Sequence, residues 1–377
     1  MEAVETRWLL QQTKIHKRLW FLLLLPVSLL LTTYSAHNSA FAQWYAVKIY
    51  ARLSHIVNHI SGIVPFSIME ILIILSLVCI PVSVAIFIIG VIRKKDSRLL
   101  FILKSTVNLA VIISIIYFLF TINCGINYYR YSFADTCGLK VEPSSKAELE
   151  TLCTSLAEKI NRLRPQLSTD EQGIMKLRQS NLQLTAQTAA QAYDKMEKEY
   201  PLLRSGYSAP KPVYFSRLMS HLNITGVFFP FTMEANVNID VPEYTIPVTM
   251  CHELSHLRGY MREDEANFIG YLVCQKSDNP DFEYSGDMLA FTHASNALFS
   301  VDADAANKIF SSLDEGVRKD FAYHSEYWKQ FTGPAAKVSN SVNDHYLKAN
   351  QQEDGVKSYG KMVDLLLAEQ RAKTQNK

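Results

Sequence analysis

Residues 71–92 read ILIILSLVCIPVSVAIFIIGVI, 22 consecutive positions without a charge. At 1.5 Å per residue, a helix of that length crosses roughly 30 Å of hydrocarbon. The run reads as a membrane span and sets the class of the chain. Further along, Ser105–Ile122 supplies 18 more uncharged residues, with Asn108 near its start predicting a helix that faces a neighbour or meets the interface. In the other direction, Leu19–Tyr34 is a third apolar run behind the basic residues Lys14, Lys17 and Arg18. It reads as an uncleaved helix, although Ala40-Phe41-Ala42 also fits the A-x-A cleavage site of a signal peptide. Between the first two runs in chain order, Trp44–Ile63 has the pattern of an amphipathic interfacial helix.

The expected organisation is therefore a membrane region over residues 1–122, with spans at about 19–35, 70–92 and 101–122 and an interfacial helix at about 44–63. A second domain follows over 123–377. Composition agrees. The chain has 377 residues, 48% hydrophobic, and Lys+Arg 38 nearly balances Asp+Glu 36, which argues against a nucleic-acid partner. Gly 14 and Pro 13 are too few for a collagen-like or low-complexity chain, and 11% aromatic residues suffice for a packed core.

Basic residues cluster most densely in Arg93-Lys94-Lys95-Asp96-Ser97-Arg98, between the second and third runs, which predicts that this loop is cytoplasmic. A multi-pass protein of the inner (cytoplasmic) membrane follows, with the C-terminal domain extracytoplasmic and the lipid bilayer as one partner. Tyr128, Tyr129 and Tyr131 would then form an aromatic belt at the outer interface. Six cysteines without a C-x-x-C spacing read as buried free thiols or as one or two disulfides.

Within 123–377, Ser145 and Glu148 form a capping box ahead of Leu149, Leu152, Leu156, Ile160 and Leu163, a helical stripe that runs until Pro165. A second helix is predicted from about Thr185 to Tyr200, stopped by Pro201. From Met233 to Asp240 the period changes to 2, which predicts a half-buried strand with Glu234, Asn236, Asn238 and Asp240 on its available face. Pro247 then opens a helix.

That helix carries His252-Glu253-Leu254-Ser255-His256. Two histidines four apart project from one helical face, about 5–6 Å between their Cβ atoms, which suits two imidazoles converging on one metal ion. Glu253 lies about 100° round the helix, where it can reach a water on the metal without ligating the metal itself. Zinc would lower the pKa of that water to roughly 7, and Glu253 would accept its proton as general base. Gly259 stands where a C-terminal cap is expected, and a new helix starts at about Arg262, bringing Glu263 back towards the histidines. Glu263 and Asn267 share a face, so Glu263 is the favoured third ligand and Asn267 can support a ligand histidine. Glu265, Asp264, His293 and His324 remain alternatives for the third ligand. Tyr346, Tyr359, His345 and His324 are chemically able to stabilise an oxyanion.

The motif with Arg262-Glu263-Asp264-Glu265-Ala266-Asn267 resembles the gluzincin branch of zinc metallopeptidases. That resemblance implies Glu263 as third ligand and Asn267 as its companion, at a position where the family more often has Asp. It also implies that the strand before the motif helix lines a cleft and pairs with an extended substrate. Metzincins fit less well, since Arg262 stands where their third histidine belongs. The three apolar runs, Pro65-Phe66-Ser67, the motif and the Asn343–Leu366 segment together resemble an uncharacterised family of bacterial membrane-anchored zincin-like proteins.

The expected fold is a membrane-anchored α+β protein: three N-terminal transmembrane helices and a mostly helical zincin-like domain with a small sheet. The expected activity is zinc-dependent hydrolysis of a peptide or protein substrate. The rivals are a non-enzymatic membrane sensor or scaffold with a structural zinc site, and a zinc amidohydrolase acting on cell-wall material.

Overall fold

A computed structural model describes residues 15–179, 181–349 and 360–375. The chain is mostly helical and divides into two compact units. One holds the residues up to Ala46 together with Met69–Arg130; the other holds Val47–Ile68 and the residues from Tyr131 onward.

Among the described residues, three helices are long and apolar enough to cross a membrane. They are α1 (Lys17–His37), α4 (Ile68–Arg93) and α5 (Arg98–Asn123, preceded by a short turn from Lys95). Between α1 and α4 lie α2 (Ser39–Tyr45) and α3 (Ala51–Ser61). Nearly every apolar side chain of α4 is exposed, a state that suits hydrocarbon and not water. In the first unit, Asn108 of α5 does face a neighbour: its Oδ1 accepts from Arg18 at 2.7 Å. Tyr45 donates to the Ile122 carbonyl at 2.8 Å, and Arg130 donates to Gln43 at 3.1 Å. Of the expected aromatic belt, only Tyr131 is exposed. Tyr128 and Tyr129 are buried, because a short 3₁₀ turn over Gly125–Tyr129 carries them inward.

The second unit opens with α3 and does not begin at residue 123. The boundary moves because the expected interfacial helix docks here through its polar face. Ser54 shares a hydrogen bond with Tyr207 at 2.8 Å, and Asn58 donates to the Met233 carbonyl at 2.8 Å and accepts from the Ser208 N–H at 2.7 Å. These side chains are satisfied by protein, so water is not needed on that side.

The chain continues through α6 (Phe133–Cys137), α7 (Lys146–Leu163), the two-stranded β1 (Ser168–Thr169) and β2 (Met175–Lys176), and α8 (Leu182–Glu199). The Ser145–Glu148 capping box is formed, and all five leucines and isoleucines of the predicted α7 stripe are buried. Next come β3 (Lys211–Pro212), α9 (Ser216–His221), β4 (Gly226–Phe229) and β5 (Glu234–Val237). The helix α10 (Ile246–Leu257) packs on this sheet, α11 (Glu263–Gln275) packs on α10, and α12 (Pro280–Val301) packs on both of them and on α7. The unit closes with α13 (Ala303–Ser311), α14 (Glu315–Lys329), α15 (Pro334–Ala349) and α16 (Gly360–Gln375).

The three-stranded sheet has the order β3-β5-β4, with β5 parallel to β3 and antiparallel to β4. This corrects the reading of Met233–Asp240 as a strand with an available polar face. β5 is central, and Glu234, Asn236 and Asn238 are fully enclosed. Glu234 pairs with Lys211 and accepts from Thr232 and the Ile68 N–H; Asn236 accepts from Ser67 at 2.6 Å; Asn238 donates to Ser220 at 2.9 Å. All six cysteines are free thiols, four of them buried.

A buried ion pair ties the helices to the β1–β2 hairpin. Asp320 of α14 accepts from Arg164 Nε at 2.7 Å, from Tyr284 of α12 at 2.6 Å and from the Met175 N–H at 2.9 Å. Asp320→Ala would leave the Arg164 guanidinium buried without its counter-charge. The expected loss is about 3–5 kcal/mol of unfolding free energy, read from denaturant curves of the detergent-solubilised protein. Asp287 of α12 behaves differently, since burial pushes its carboxyl up to about 7. A folded-state value above the unfolded one means stability is full at low pH and is lost as pH rises through about 7. Asp287→Asn should therefore raise the melting temperature at pH 8, with the gain shrinking to nothing near pH 4.

Candidate metal centre

The end of α10 is set by one glycine. Gly259 adopts φ +84°, its N–H reaching the His256 carbonyl at 2.8 Å while the Tyr260 N–H reaches Ser255 at 3.2 Å. This left-handed cap reverses the chain and places the Tyr260 carbonyl 2.8 Å from His256 Nδ1. With Nδ1 held, His256 turns Nε2 towards His252, whose Nε2 lies 3.0 Å away. On the far side of α10, Tyr193 hydroxyl donates to the Cys251 carbonyl at 2.6 Å and contacts Ser255 at 2.8 Å, fixing the rotation of the helix.

α11 supplies the rest. Its first turn carries Glu263, Asp264 and Glu265, as the positive end of a helix dipole favours, but the three acids have different fates. Glu263 faces α10, with Oε2 at 3.3 Å from His252 Nε2 and Oε1 at 3.6 Å from His256 Nε2. Glu265 points away and accepts from the Phe133 N–H at 2.8 Å and from Arg262 at 2.9 Å. Asp264 is buried outside the cluster, and burial pushes its carboxyl up to about 6. Asn267, one turn beyond Glu263, holds His252 Nδ1 at 2.8 Å. The next residue on that face is Gly270, where a Cβ would sit 3.3 Å from the His252 backbone nitrogen. The missing side chain lets the two helices close up.

One nitrogen or oxygen from each of His252, His256 and Glu263 thus lies within 4.8 Å of the others. Two neutral imidazole donors and one carboxylate form the donor set of three-ligand catalytic zinc sites, so the residues present fit such an ion. Burial would pull the His252 imidazole down, but its hydrogen bond to Glu263 and the charges of Glu263 and Glu253 outweigh that and raise it to about 9. For Glu263, burial pushes the carboxyl up, yet the two histidines hold it near 2. His256 is pulled down by burial to about 4.

Glu253 stands beside this cluster. It is 4% exposed, and its Oε2 has no hydrogen-bond partner among the described residues. Burial pushes its carboxyl up to about 8. Its other oxygen abuts β4: a Cβ on Gly226 would lie 2.3 Å from Oε1, and the Phe228 N–H donates to the carboxylate. β4 is an edge strand, and Gly226 and Phe228 turn their backbone groups away from β5. The strand bordering the cluster with an outward edge is therefore β4, not β5.

The other candidates lie elsewhere. His293 of α12 is near enough to feel the His252 charge, and burial pulls its imidazole down to about 4, but it is not part of the converging group. His324 contacts the Tyr244 hydroxyl at 2.9 Å; His345 contacts the Ser341 carbonyl on α15; Tyr346 is exposed on the same helix. Tyr359 lies outside the described residues. Sequence reasoning missed Gly226, Gly270 and the Tyr260 carbonyl. Gly270 was detectable as the third member of an i, i+4, i+7 set with Glu263 and Asn267; the other two depend on contacts across the fold.

A model of one protein family matches residues 45–367, which takes in every residue of this centre. The chain belongs to DUF3810. That family is described as proteins of unknown function. No curated protein and no solved structure matches the chain. In this DUF3810 chain the orientation of His252 rests on one amide, so Asn267→Ala should free the ring. Zinc affinity measured against a competing chelator is expected to fall about 10–100-fold, with the far-UV circular dichroism unchanged.

Proposed function

We propose that this chain is a membrane-anchored zinc metallopeptidase, with His252, His256 and Glu263 as metal ligands and Glu253 as general base. The observation that carries the reading is the convergence of three ligand atoms within 4.8 Å beside a buried carboxylate oxygen with no partner among the described residues. Three protein ligands leave a fourth corner open, as catalytic zinc sites do and structural sites do not. When bound there, zinc supplies Lewis acidity and makes water acidic enough to deprotonate near neutral pH.

The chain's own residues would do the rest. Asn267 and the Tyr260 carbonyl hold both imidazoles by Nδ1, leaving each Nε2 for the metal. Glu253, whose carboxyl is shifted by burial towards neutral pH, is suited to take a proton from water and return it to a leaving amine. An extended peptide could add to the outer edge of β4, where main-chain hydrogen bonds give affinity irrespective of sequence. The basic loop Arg93–Arg98 supports a cytoplasmic placement for that turn and an extracytoplasmic one for the catalytic unit in a cytoplasmic membrane. A purely structural site gains nothing from Glu253, which favours hydrolysis over a sensor or scaffold.

Metal analysis of the detergent-solubilised chain should find zinc, lost in His252→Ala and His256→Ala. Glu253→Gln should keep zinc and lower chelator-sensitive cleavage of a peptide library by about 10²–10⁴-fold. Undiminished cleavage by Glu253→Gln would remove the general base from the scheme, and iron in place of zinc would point to a different chemistry.

A further inference from the structure

α3 and the turn before it carry three parallel stripes. Tyr50, Ser54, Asn58 and Ser61 are buried. Ile49, Ile56, Ile60 and Ile63 form a second row, 41%, 59%, 63% and 76% exposed, and Phe66 beyond them is 51% exposed. Lys48, Arg52, His55 and His59 form a third, also exposed. The usual order of an amphipathic helix is inverted: the polar stripe faces protein and the isoleucines face outward. A row of exposed isoleucines is costly in water and marks a surface with an occupant.

The chain indicates which occupant. Phe66 stands two residues before Ile68, where α4 begins, a helix of 26 residues long enough to span a bilayer. Ile63 is five residues from that point, at most about 18 Å of extended chain. The isoleucine row therefore starts where the polypeptide meets the membrane. Its neighbours suit a headgroup layer as well: Lys48 and Arg52 flank the apolar row, and no Asp or Glu occurs anywhere from residue 6 to residue 69.

We infer that the outward face of α3 (Ile49, Ile56, Ile60, Ile63 and Phe66) lies in the headgroup region of a phospholipid bilayer, holding the second unit against the lipid surface. Its inward face reaches the metal helix directly. The Tyr50 hydroxyl donates to the Leu257 carbonyl at 3.2 Å and approaches that of His256 at 3.4 Å, so one tyrosine separates the lipid-facing helix from the end of α10. Asn58 grips the Met233 carbonyl just ahead of β5. The centre is thereby tethered to the bilayer surface, whatever reaction it performs.

The test places single nitroxide labels on Ile60→Cys, Ile63→Cys and Lys308→Cys of the full chain, in a Cys79→Ser, Cys137→Ser background. Each variant is reconstituted into vesicles of phosphatidylglycerol and phosphatidylcholine. All three positions are exposed, so labelling leaves the core intact. At residues 60 and 63, collision with oxygen should rise and collision with a water-soluble nickel chelate should fall relative to residue 308. Chelate access at 60 and 63 equal to that at 308 would overturn the inference. So would label–label coupling at residue 60 that disappears on dilution with unlabelled chain, because the occupant would then be a second copy of the chain.

Discussion

At Gly270 the backbones of α10 and α11 approach so closely that even a methyl group would press on the His252 nitrogen at 3.3 Å. The candidate metal centre depends on that crossing. Ligand atoms on two helices converge only if the helices pack tightly and in one register, and the face of α11 that meets α10 holds Glu263, Asn267 and Gly270 at i, i+4 and i+7. The left-handed Gly259, two residues past the end of α10 at Leu257, makes the crossing possible by sending the chain back. Neither glycine touches the cluster itself. Each decides where a side chain that does will lie.

The fold encloses many polar side chains and satisfies most of them. Lys211 with Glu234, Arg164 with Asp320, and the amides of Asn58, Asn236 and Asn238 are all buried and all bonded. Such groups are tolerable only because each desolvated donor meets an acceptor. Ser35 and Asn127 also bury side-chain atoms without a hydrogen-bond partner among the described residues, but Glu253 Oε2 is the one placed beside three convergent candidate ligand atoms. Proteins tend to break their own packing rules where function requires it. The broken rule here coincides with the motif.

How much of this was legible beforehand depended on the range of the interaction. The long uncharged runs, the Ser145–Glu148 box, the α7 stripe and the Gly259 stop are local patterns, and each gave the right element. Period 2 over Met233–Asp240 gave a strand but not its place in the sheet. Alternation looks the same whether the polar face meets solvent or, as here, Lys211, Ser67 and Ser220. Likewise Trp44–Ile63 was legible as amphipathic, but not which face the protein would take, because that hinged on partners such as Tyr207, Ser208 and Met233. The acids of α11 show the same limit from within one helix. Dipole and composition treat Glu263, Asp264 and Glu265 alike, and only spacing relative to Asn267 separated the first from the others.

The two glutamates of the centre illustrate how environment separates the proton affinities of identical side chains. Glu263 lies between two imidazoles, and their attraction overcomes burial and holds it ionised at any ordinary pH. Glu253 is more enclosed than Glu263, with β4 on one side and no cation in direct contact, so burial prevails and its proton affinity rises towards neutral pH. A ligand must stay charged and a base must be able to accept and give back a proton, so the separation matches the two roles proposed for these residues. What distinguishes the two residues is their distance to His252 and His256 and nothing in the side chains themselves.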